Sequence, residues 1–481
     1  MRGALKYVIG GAVGAAIPAV LVAVPAFADT GDDALAAVKQ LGVATNLLWV
    51  VIGAVLVIFM QAGFAAVETG FTQKKNAAHV MSTNFAIFGL GFVGFLFVGF
   101  PLAFAGFSSS LFGLDKPMNG DGLPAIGGEH SGILYWGYSH LGNGATPGLL
   151  ALFLYMVAFM DTTATIPTGA MAERWKWKAF AQWGLFCGAI YYPLFTAWTW
   201  GGGWLAKAWS SMHAGAGYVD FAGSGVVHAV GGVAGLAGAI VLGPRIGKYD
   251  KDGKPNTIAG HSIPLAQLGC FILLFGWFGF NAASTFAATD IQFATVAANT
   301  AIAAAVGATV AMYWITMRSG KPDPGMMVNG MLAGLVAITA PCAFVAPWAA
   351  VVIGGVAAII AIEFAMWLEK RGIDDPVGAI AVHGIGGTFG VLAVGIFANG
   401  KYGAGWNGST STGIKGLIKG DGGQFFAQLL GVVVIWTVIF GVAFGFFKIQ
   451  NKLMKGGIRP TEAEEIEGVD MIEMGVHGYV D

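Results

Sequence analysis

The sequence predicts an all-α polytopic membrane protein, and three observations predict it. Hydrophobic residues make up 56% of the 481 positions and charged residues 11%, a balance that ordinary water-soluble domains do not show. Apolar runs long enough to cross a bilayer recur along the whole length. The 76 glycines suit membrane helices packed backbone to backbone. A net charge of -1 says nothing about partners, because in such a chain the distribution of charge carries the information. No nucleic-acid signal is present. Cys187, Cys270 and Cys342 fall inside apolar runs without C-x-x-C spacing. They read as small packing residues, with no disulfide framework, metal site or other cofactor expected.

Residues 1–28 carry Arg2 and Lys6, a weakly apolar stretch broken by Gly14 and Pro18, and Ala26-Phe27-Ala28 before Asp29. This reads as a secretory signal peptide with an A-x-A cleavage site. The alternative is an uncleaved first helix, and residue 29 starts outside in both cases. Eleven spans follow, near 45–69, 80–105, 147–170, 177–199, 221–243, 261–283, 295–316, 325–341, 345–369, 377–400 and 424–448. Lys and Arg test the count, since cytoplasmic loops retain them. Seventeen positive residues fall on loops and tail assigned inside, among them Lys74, Arg174, Arg245, Lys370 and Arg459. Six fall outside: Lys39, Lys116, Lys207, Lys401, Lys415 and Lys419. The predicted layout is a signal peptide at 1–28, an eleven-helix membrane domain at 29–448 and a cytoplasmic tail at 449–481.

One phrase occurs twice. Residues 227–235 and 382–390 both spell V-H-x-x-G-G-x-x-G. His228 and His383 each put an imidazole in an apolar stretch, where an unpaired polar group is costly and an ionisable one is a functional hypothesis by default. The glycines one turn on remove side chains, so that another backbone approaches closely or a narrow passage remains. The bland alternative is a core histidine bonded to a neighbouring helix's carbonyl. Two copies in matching contexts favour a shared functional site. The histidines fall in the fifth and tenth spans, and five spans of separation invert the second copy. Spans one to five and six to ten therefore read as two halves related by a pseudo-two-fold axis in the membrane plane. The eleventh span has no counterpart and is expected to wrap the outside.

Other candidate residues surround the first copy. Trp200-Gly201-Gly202-Gly203 precedes it, and Asp220 stands eight residues before His228, about 12 Å along a helix and too far for a direct bond. Asp220 is expected to cap the helix start. The sixth span contains Gly276-Trp277-Phe278-Gly279-Phe280-Asn281-Ala282-Ala283-Ser284, whose aromatics score by composition as lipid-facing or interfacial. Asp161 in the third span has no assigned role.

Four motifs resemble one family: D-F-A-G-x-x-V-V-H at 220–228, G-W-F-G-F-N-A-x-S at 276–284, Ala172-Glu173-Arg174, and Asp374-Asp375-Pro376 before the V-H-G at 382–384. Together with the tail Gly457-Ile458-Arg459-Pro460 they resemble, in order and over the mature chain, the ammonium transporter family, which includes methylammonium permeases and Rhesus proteins. The resemblance implies an eleven-helix homotrimer with one pore per subunit and paired histidines in a hydrophobic lumen. It implies that Trp200 and Ser284 recruit ammonium at the outer face, that Asp220 supports them, and that Phe280 gates the passage below. Phe159, thirteen residues before Ala172, would be the second gate residue. It also implies that the tail packs under neighbouring subunits and that a trimeric PII signalling protein blocks the pore exits. Gly378 departs from the pattern, standing where some relatives carry an acidic residue.

Elementary chemistry fits these implied roles. Ammonium and potassium share charge and approximate size, so replacing hydration with carbonyls separates them poorly. Hydrogen-bond directionality and acidity do separate them. The expected function is transport of ammonium or ammonia across the cytoplasmic membrane. The alternative is an ammonium sensor signalling through a docked PII-type partner. Axial haem ligation by His228 and His383 is a further rival, testable by colour. An aquaporin-type channel would need paired N-P-A segments, which the sequence lacks.

Overall fold

A computed structural model describes residues 31–104, 107, 109–112, 145–208, 215–408 and 412–479. The expected signal peptide at 1–28 and Lys116 lie outside the described residues. Within them the chain is almost wholly helical. The helices are α1 (Gly31–Phe71), α2 (Lys74–Phe104), α3 (Pro147–Ala170), α4 (Trp177–Phe186, continuing through Cys187–Tyr191 and Tyr192–Trp198) and α5 (Ser224–Leu242). After them come α6 (Ile263–Thr285), α7 (Gln292–Ser319), α8 (Pro324–Thr339), α9 (Pro347–Lys370), α10 (Ile380–Phe397) and α11 (Gly422–Leu453). Among the described residues nine of these are long and apolar enough to cross a membrane. The other two are α4 and α8, the latter only 16 residues long. They occupy the places of the fourth and eighth predicted spans.

Local chemistry sets where the helices start. The side chains of Thr146, Ser262, Asp323 and Asp421 accept hydrogen bonds from the first-turn N–H groups of α3, α6, α8 and α11. Pro147 and Pro324 each follow such a cap at the first helical position, where a missing N–H costs nothing.

Burial separates a centre from a shell. In the apolar stretches of α3 and α5, 89% and 83% of residues are buried, against 28% in α1 and in α11. α11 lies across the two halves as expected: Phe447 stacks on Trp183 of α4 at 5.1 Å, and Trp436 Nε1 donates to Thr388 Oγ1 of α10 at 2.8 Å. The first helices of the two halves, α1 and α6, pack in close backbone contact. A Cβ on Gly63 would stand 2.7 Å from Leu273 Cγ, and one on Gly70 would stand 2.6 Å from Ala266 N. In a bilayer such dispersion-rich backbone contact replaces the hydrophobic drive that lipid cannot supply.

On one face, buried ion pairs join the loops after α3, α5 and α9. Arg245 donates to Asp374 from Nε at 2.8 Å and from Nη2 at 2.9 Å, and Nη1 reaches Glu173 at 3.1 Å. Arg174 donates to the carbonyls of Gly243 and Asp374, each at 2.7 Å. Burial raises the tendency of Asp374 to hold its proton. The charge of Arg174 and the hydrogen bonds of Arg245 outweigh that and hold it at about 2. Burial alone would lower Arg245, and its bonds to Asp374 and Glu173 more than reverse this. Glu173 and Arg174 of the A-E-R motif and Asp374 of D-D-P thus take part in a tie between loops.

The tail is docked against its own chain rather than solvated. α11 continues to Leu453, five residues past the predicted boundary. Arg459 donates to the carbonyls of Leu242 and Pro244 and to Glu465. Glu465 also accepts from Ile246 N at 2.8 Å, and Asp470 accepts from Ala78 N and His79 N at the start of α2. The short helix α12 (Glu462–Glu467) opens with a reciprocal capping box between Thr461 and Glu464.

Candidate functional site

Both copies of the repeated phrase fold alike. Asp220 accepts four backbone N–H groups: Gly223 at 2.8 Å and Ser224 at 3.1 Å on Oδ1, Gly225 at 2.8 Å and Val226 at 2.9 Å on Oδ2. Asp375 accepts Gly378 at 3.1 Å and Ala379 at 3.0 Å on Oδ1, and Ile380 at 2.7 Å on Oδ2. Each aspartate lies eight residues before its histidine. Each is followed at the third position by a glycine of positive φ, +116° at Gly223 and +79° at Gly378. A side chain there would be strained. Gly378 therefore does the work of Gly223, which accounts for glycine at that departure from the family pattern. Both helices then begin with a π-helical turn, Ser224–Ala229 and Ile380–Ile385, that contains the histidine. The repeat is longer than it first reads: D-x-x-G-x-x-x-V-H-x-x-G-G-x-x-G.

The glycines bring the two helices together. A Cβ on Gly232 would run into the backbone of Gly384, and one on Gly387 would run into Ser224 O. Of the two uses that the spacing allowed, close approach is the one adopted at these positions. It sets His228 against His383, with Nδ1 to Nδ1 at 3.1 Å and ring centroids 5.1 Å apart. One Nδ1 must carry the proton and the other must accept, so the two rings are different tautomers. His228 is fully buried, His383 is 5% exposed, and His228 Nε2 has no hydrogen-bond partner among the described residues.

An aromatic column stands on the pair. Phe280 and Trp277 of α6 pack on His228 at 5.4 and 5.1 Å. Phe159 stacks on Phe280 at 4.1 Å, and Trp200 meets Phe159 edge-on at 5.8 Å. Trp277 and Phe280 are fully buried, which corrects the lipid-facing or interfacial reading of these aromatics. Their i, i+3 spacing puts both on one helix face, and that face is turned inward. Above the stack, Ser284 Oγ donates to Phe280 O at 2.7 Å and lies 3.0 Å from Tyr155 Oη. Tyr155 Oη donates to Gly279 O at 2.9 Å, and Trp200 Nε1 donates to the carbonyl of Asp220 at 2.7 Å. All seven residues singled out in the sequence, Phe159, Trp200, Asp220, His228, Phe280, Ser284 and His383, thus fall in one connected column.

Sequence reasoning missed Tyr155 and Phe64. Phe64 packs on His383 at 6.1 Å, as Phe280 packs on His228. A signal was present: Gly63-Phe64-Ala65-Ala66-Val67-Glu68-Thr69 and Gly279-Phe280-Asn281-Ala282-Ala283-Ser284-Thr285 share G-F-x-A-x-x-T at matching places in α1 and α6. Beyond His383 lies a cavity of about 20 Å³, room for roughly one water-sized molecule. Asn329 and Val377 belong both to its wall and to that of a polar vestibule of ≈ 360 Å³ at the tail-bearing face. Asp375 borders that vestibule. Burial raises its pKa to about 6 despite the backbone N–H groups it accepts. Asp161, buried in α3, has no hydrogen-bond partner for Oδ1 among the described residues.

Comparison with known proteins identifies relatives of this arrangement. A family model described as Ammonium Transporter Family matches residues 48–479. Ammonium transporter Amt2 of Archaeoglobus fulgidus is 44% identical over 436 residues, covering 90% of this chain and 88% of that one. An ammonium transporter of Bacillus subtilis is 33% identical and covers 89% of this chain and 96% of its own. Among solved structures, a protein titled Sensor Amt Protein superposes with TM-score 0.75 at 35% identity, over 91% of this chain and all of that one. Saccharomyces cerevisiae Mep2 gives 0.74 at 26% identity, over 88% of both chains.

Proposed function

Since this chain belongs to the ammonium transporter family, we propose that it moves ammonium or ammonia across the cytoplasmic membrane along the column from Trp200 to His383. The observation that carries this reading is the closed phenylalanine stack resting on a directly bonded histidine pair. Ammonium is a pure hydrogen-bond donor. Ser284 and Tyr155 spend their own protons on the carbonyls of Phe280 and Gly279, so their oxygen lone pairs remain for it. The Trp200 face adds cation–π attraction of up to about 2 kcal/mol when desolvated. The dry stack of Phe159 and Phe280 rejects the bare ion, because an unpaired charge in low dielectric costs several kcal/mol. Potassium stops there. Ammonium sheds a proton, and ammonia passes to His228, whose free Nε2 offers a partner. The bonded pair holds one shared proton and relays it.

Orientation and assembly complete the proposal. The bias of Lys and Arg supports an N-terminus outside, after signal cleavage, and a tail-bearing vestibule in the cytoplasm. By resemblance the chain is a homotrimer serving nitrogen uptake, with the docked tail offered to a PII-type partner. A sensor reading draws on one observation, the likeness to the protein titled Sensor Amt Protein. Partner binding that follows ammonium in a transport-dead variant would favour it.

The test is electrical. His228→Ala and His383→Ala each leave one imidazole unpaired, at about 1–3 kcal/mol, roughly tenfold or more in rate. Both variants are expected to assemble as trimers, to lose ammonium-evoked current in liposomes, and to leak ammonium or potassium. Well-folded variants with unchanged rate and ammonium-to-potassium current ratio would refute the transport site.

A further inference from the structure

We propose that Glu68 is the inner proton site of the passage, the group that returns a proton to ammonia before it leaves. This rests on the transport reading above and adds a residue to it. The repeat G-F-x-A-x-x-T aligns Glu68 of α1 with Ser284 of α6, five residues past the glycine and four past the phenylalanine that packs on the nearby histidine. In an inverted repeat, matched positions face opposite sides of the membrane. Glu68 therefore holds on the inner side the place that Ser284 holds on the outer side. Where the outer copy has a hydroxyl suited to receive a cation, the inner copy has an acid.

The surroundings fit proton exchange. Glu68 is 3% exposed and lines, with His383, the cavity that admits one water-sized molecule. No lysine or arginine forms an ion pair with it among the described residues. Asn84 Nδ2 of α2 donates to Oε2 at 2.6 Å. Thr168 Oγ1 of α3 lies 2.9 and 2.8 Å from its two oxygens and 2.5 Å from Thr165 O. A hydroxyl carries one proton. When Thr168 gives it to Glu68, the site accommodates a carboxylate. When Thr168 gives it to Thr165 O, a proton on Glu68 fills the vacated contact. A rotation of one hydroxyl thus accommodates both forms of the acid without repacking.

The proposed step balances. A histidine N–H bond breaks and the carboxylate O–H bond forms, with the cavity occupant as bridge. That O–H bond then breaks as an N–H bond forms on ammonia, and ammonium enters the vestibule. The charged and titratable groups around the step are His383 across the cavity and Asp375 at the vestibule. The flanking side chains from α2, α3 and α8, Asn84, Thr168 and Asn329, are neutral.

Glu68→Gln keeps the shape, accepts from Asn84 and donates to Thr168, but carries no exchangeable acid. In proteoliposomes it should lower ammonium-evoked current about tenfold or more, while ammonia flux, read from internal pH under an ammonia gradient, persists. Glu68→Asp should keep current with a shifted pH profile, and decides the matter if the glutamine variant does not assemble. Wild-type current in Glu68→Gln overturns the proposal. So does loss of current and ammonia flux together in an assembled trimer, since that marks a packing role. A wild-type pH profile in Glu68→Asp also overturns it. If wild-type protein itself gives no ammonium response, or His383→Ala leaves it intact, the transport reading fails instead.

Discussion

Replacing the two capping aspartates by asparagine should destabilise the protein unequally, and the structure sets the order. Asparagine keeps one acceptor oxygen and turns the other into an NH₂ group. With that oxygen in the Oδ1 position, the amide of Asp220→Asn still accepts from Gly223 and Ser224, but the N–H groups of Gly225 and Val226 face a donor. Two buried donors are stranded, at about 1–3 kcal/mol each, so Asp220→Asn should cost roughly 2–6 kcal/mol. Asp375→Asn in the same pose keeps the bonds from Gly378 and Ala379 and strands Ile380 alone, for about 1–3 kcal/mol. Asp220 also receives the Tyr218 hydroxyl at 3.3 Å, which widens the gap. Thermal unfolding of the purified variants in one detergent reads the ranking. Asp220→Asn should melt well below Asp375→Asn, and both below wild type. Its uptake should fall too, because the Asp220 carbonyl receives the Trp200 indole. Equal melting, or the reverse order, would refute the claim that counted N–H acceptance anchors the histidine helices.

Two further outcomes follow from the same geometry. Gly232→Ala places a methyl against the backbone of Gly384, where nothing flexible can yield, so the α5 and α10 helices must separate; expression of folded protein and transport should both collapse, whereas Gly441→Ala, open on all sides, should be silent in the same assays. Asp375 sits near pKa 6, above its ordinary value, so the fold favours its protonated form and acid does not destabilise the protein through this group. Lowering internal pH from 7 to 5 should instead remove one negative charge from the vestibule and depress uptake, measured as labelled methylammonium entry, with a flatter profile in Asp375→Asn and Asp374 still ionised throughout.

The membrane class, the spans and the histidine pair were legible because bilayer physics writes them into one dimension. Apolar length, loop charge and a repeated V-H-x-x-G-G-x-x-G survive without knowledge of contacts. Other features needed the third dimension. Trp277 and Phe280 score as interfacial until the packing of α6 shows which face points inward. The tail's acidic residues look like solvated charge, yet Glu465 accepts a backbone N–H from the loop after α5 and Asp470 accepts one from the start of α2, each more than two hundred residues away. Glu68 is the clearest case. It stands close to Gln73, Lys74 and Lys75, where an acid reads as the ordinary polar end of a span. Only the approach of Asn84 and Thr168 encloses it.

The symmetry of the fold explains which residues had to differ. Both halves need a break from regular α-helix to present a histidine at the crossing, and irregular backbone in apolar surroundings must have its N–H groups satisfied. An aspartate followed by a left-handed glycine meets that need twice, at Asp220 with Gly223 and at Asp375 with Gly378. The phenylalanine one turn from each crossing, Phe280 or Phe64, is likewise shared. A scaffold this symmetric has no inherent inside or outside. Polarity must then come from positions where the copies diverge, and the column offers few. Phe280, Phe159 and Trp200 close one approach with packed rings, while the other carries a one-molecule cavity and a polar vestibule that share Asn329 and Val377 in their walls. The pair Ser284 and Glu68 is the divergence that changes chemistry rather than shape, because a hydroxyl binds a cation and only an acid can hand over a proton near neutral pH. Exchanging them, as Ser284→Glu with Glu68→Ser, should therefore invert the side at which ammonium is held more tightly while leaving the histidine crossing intact.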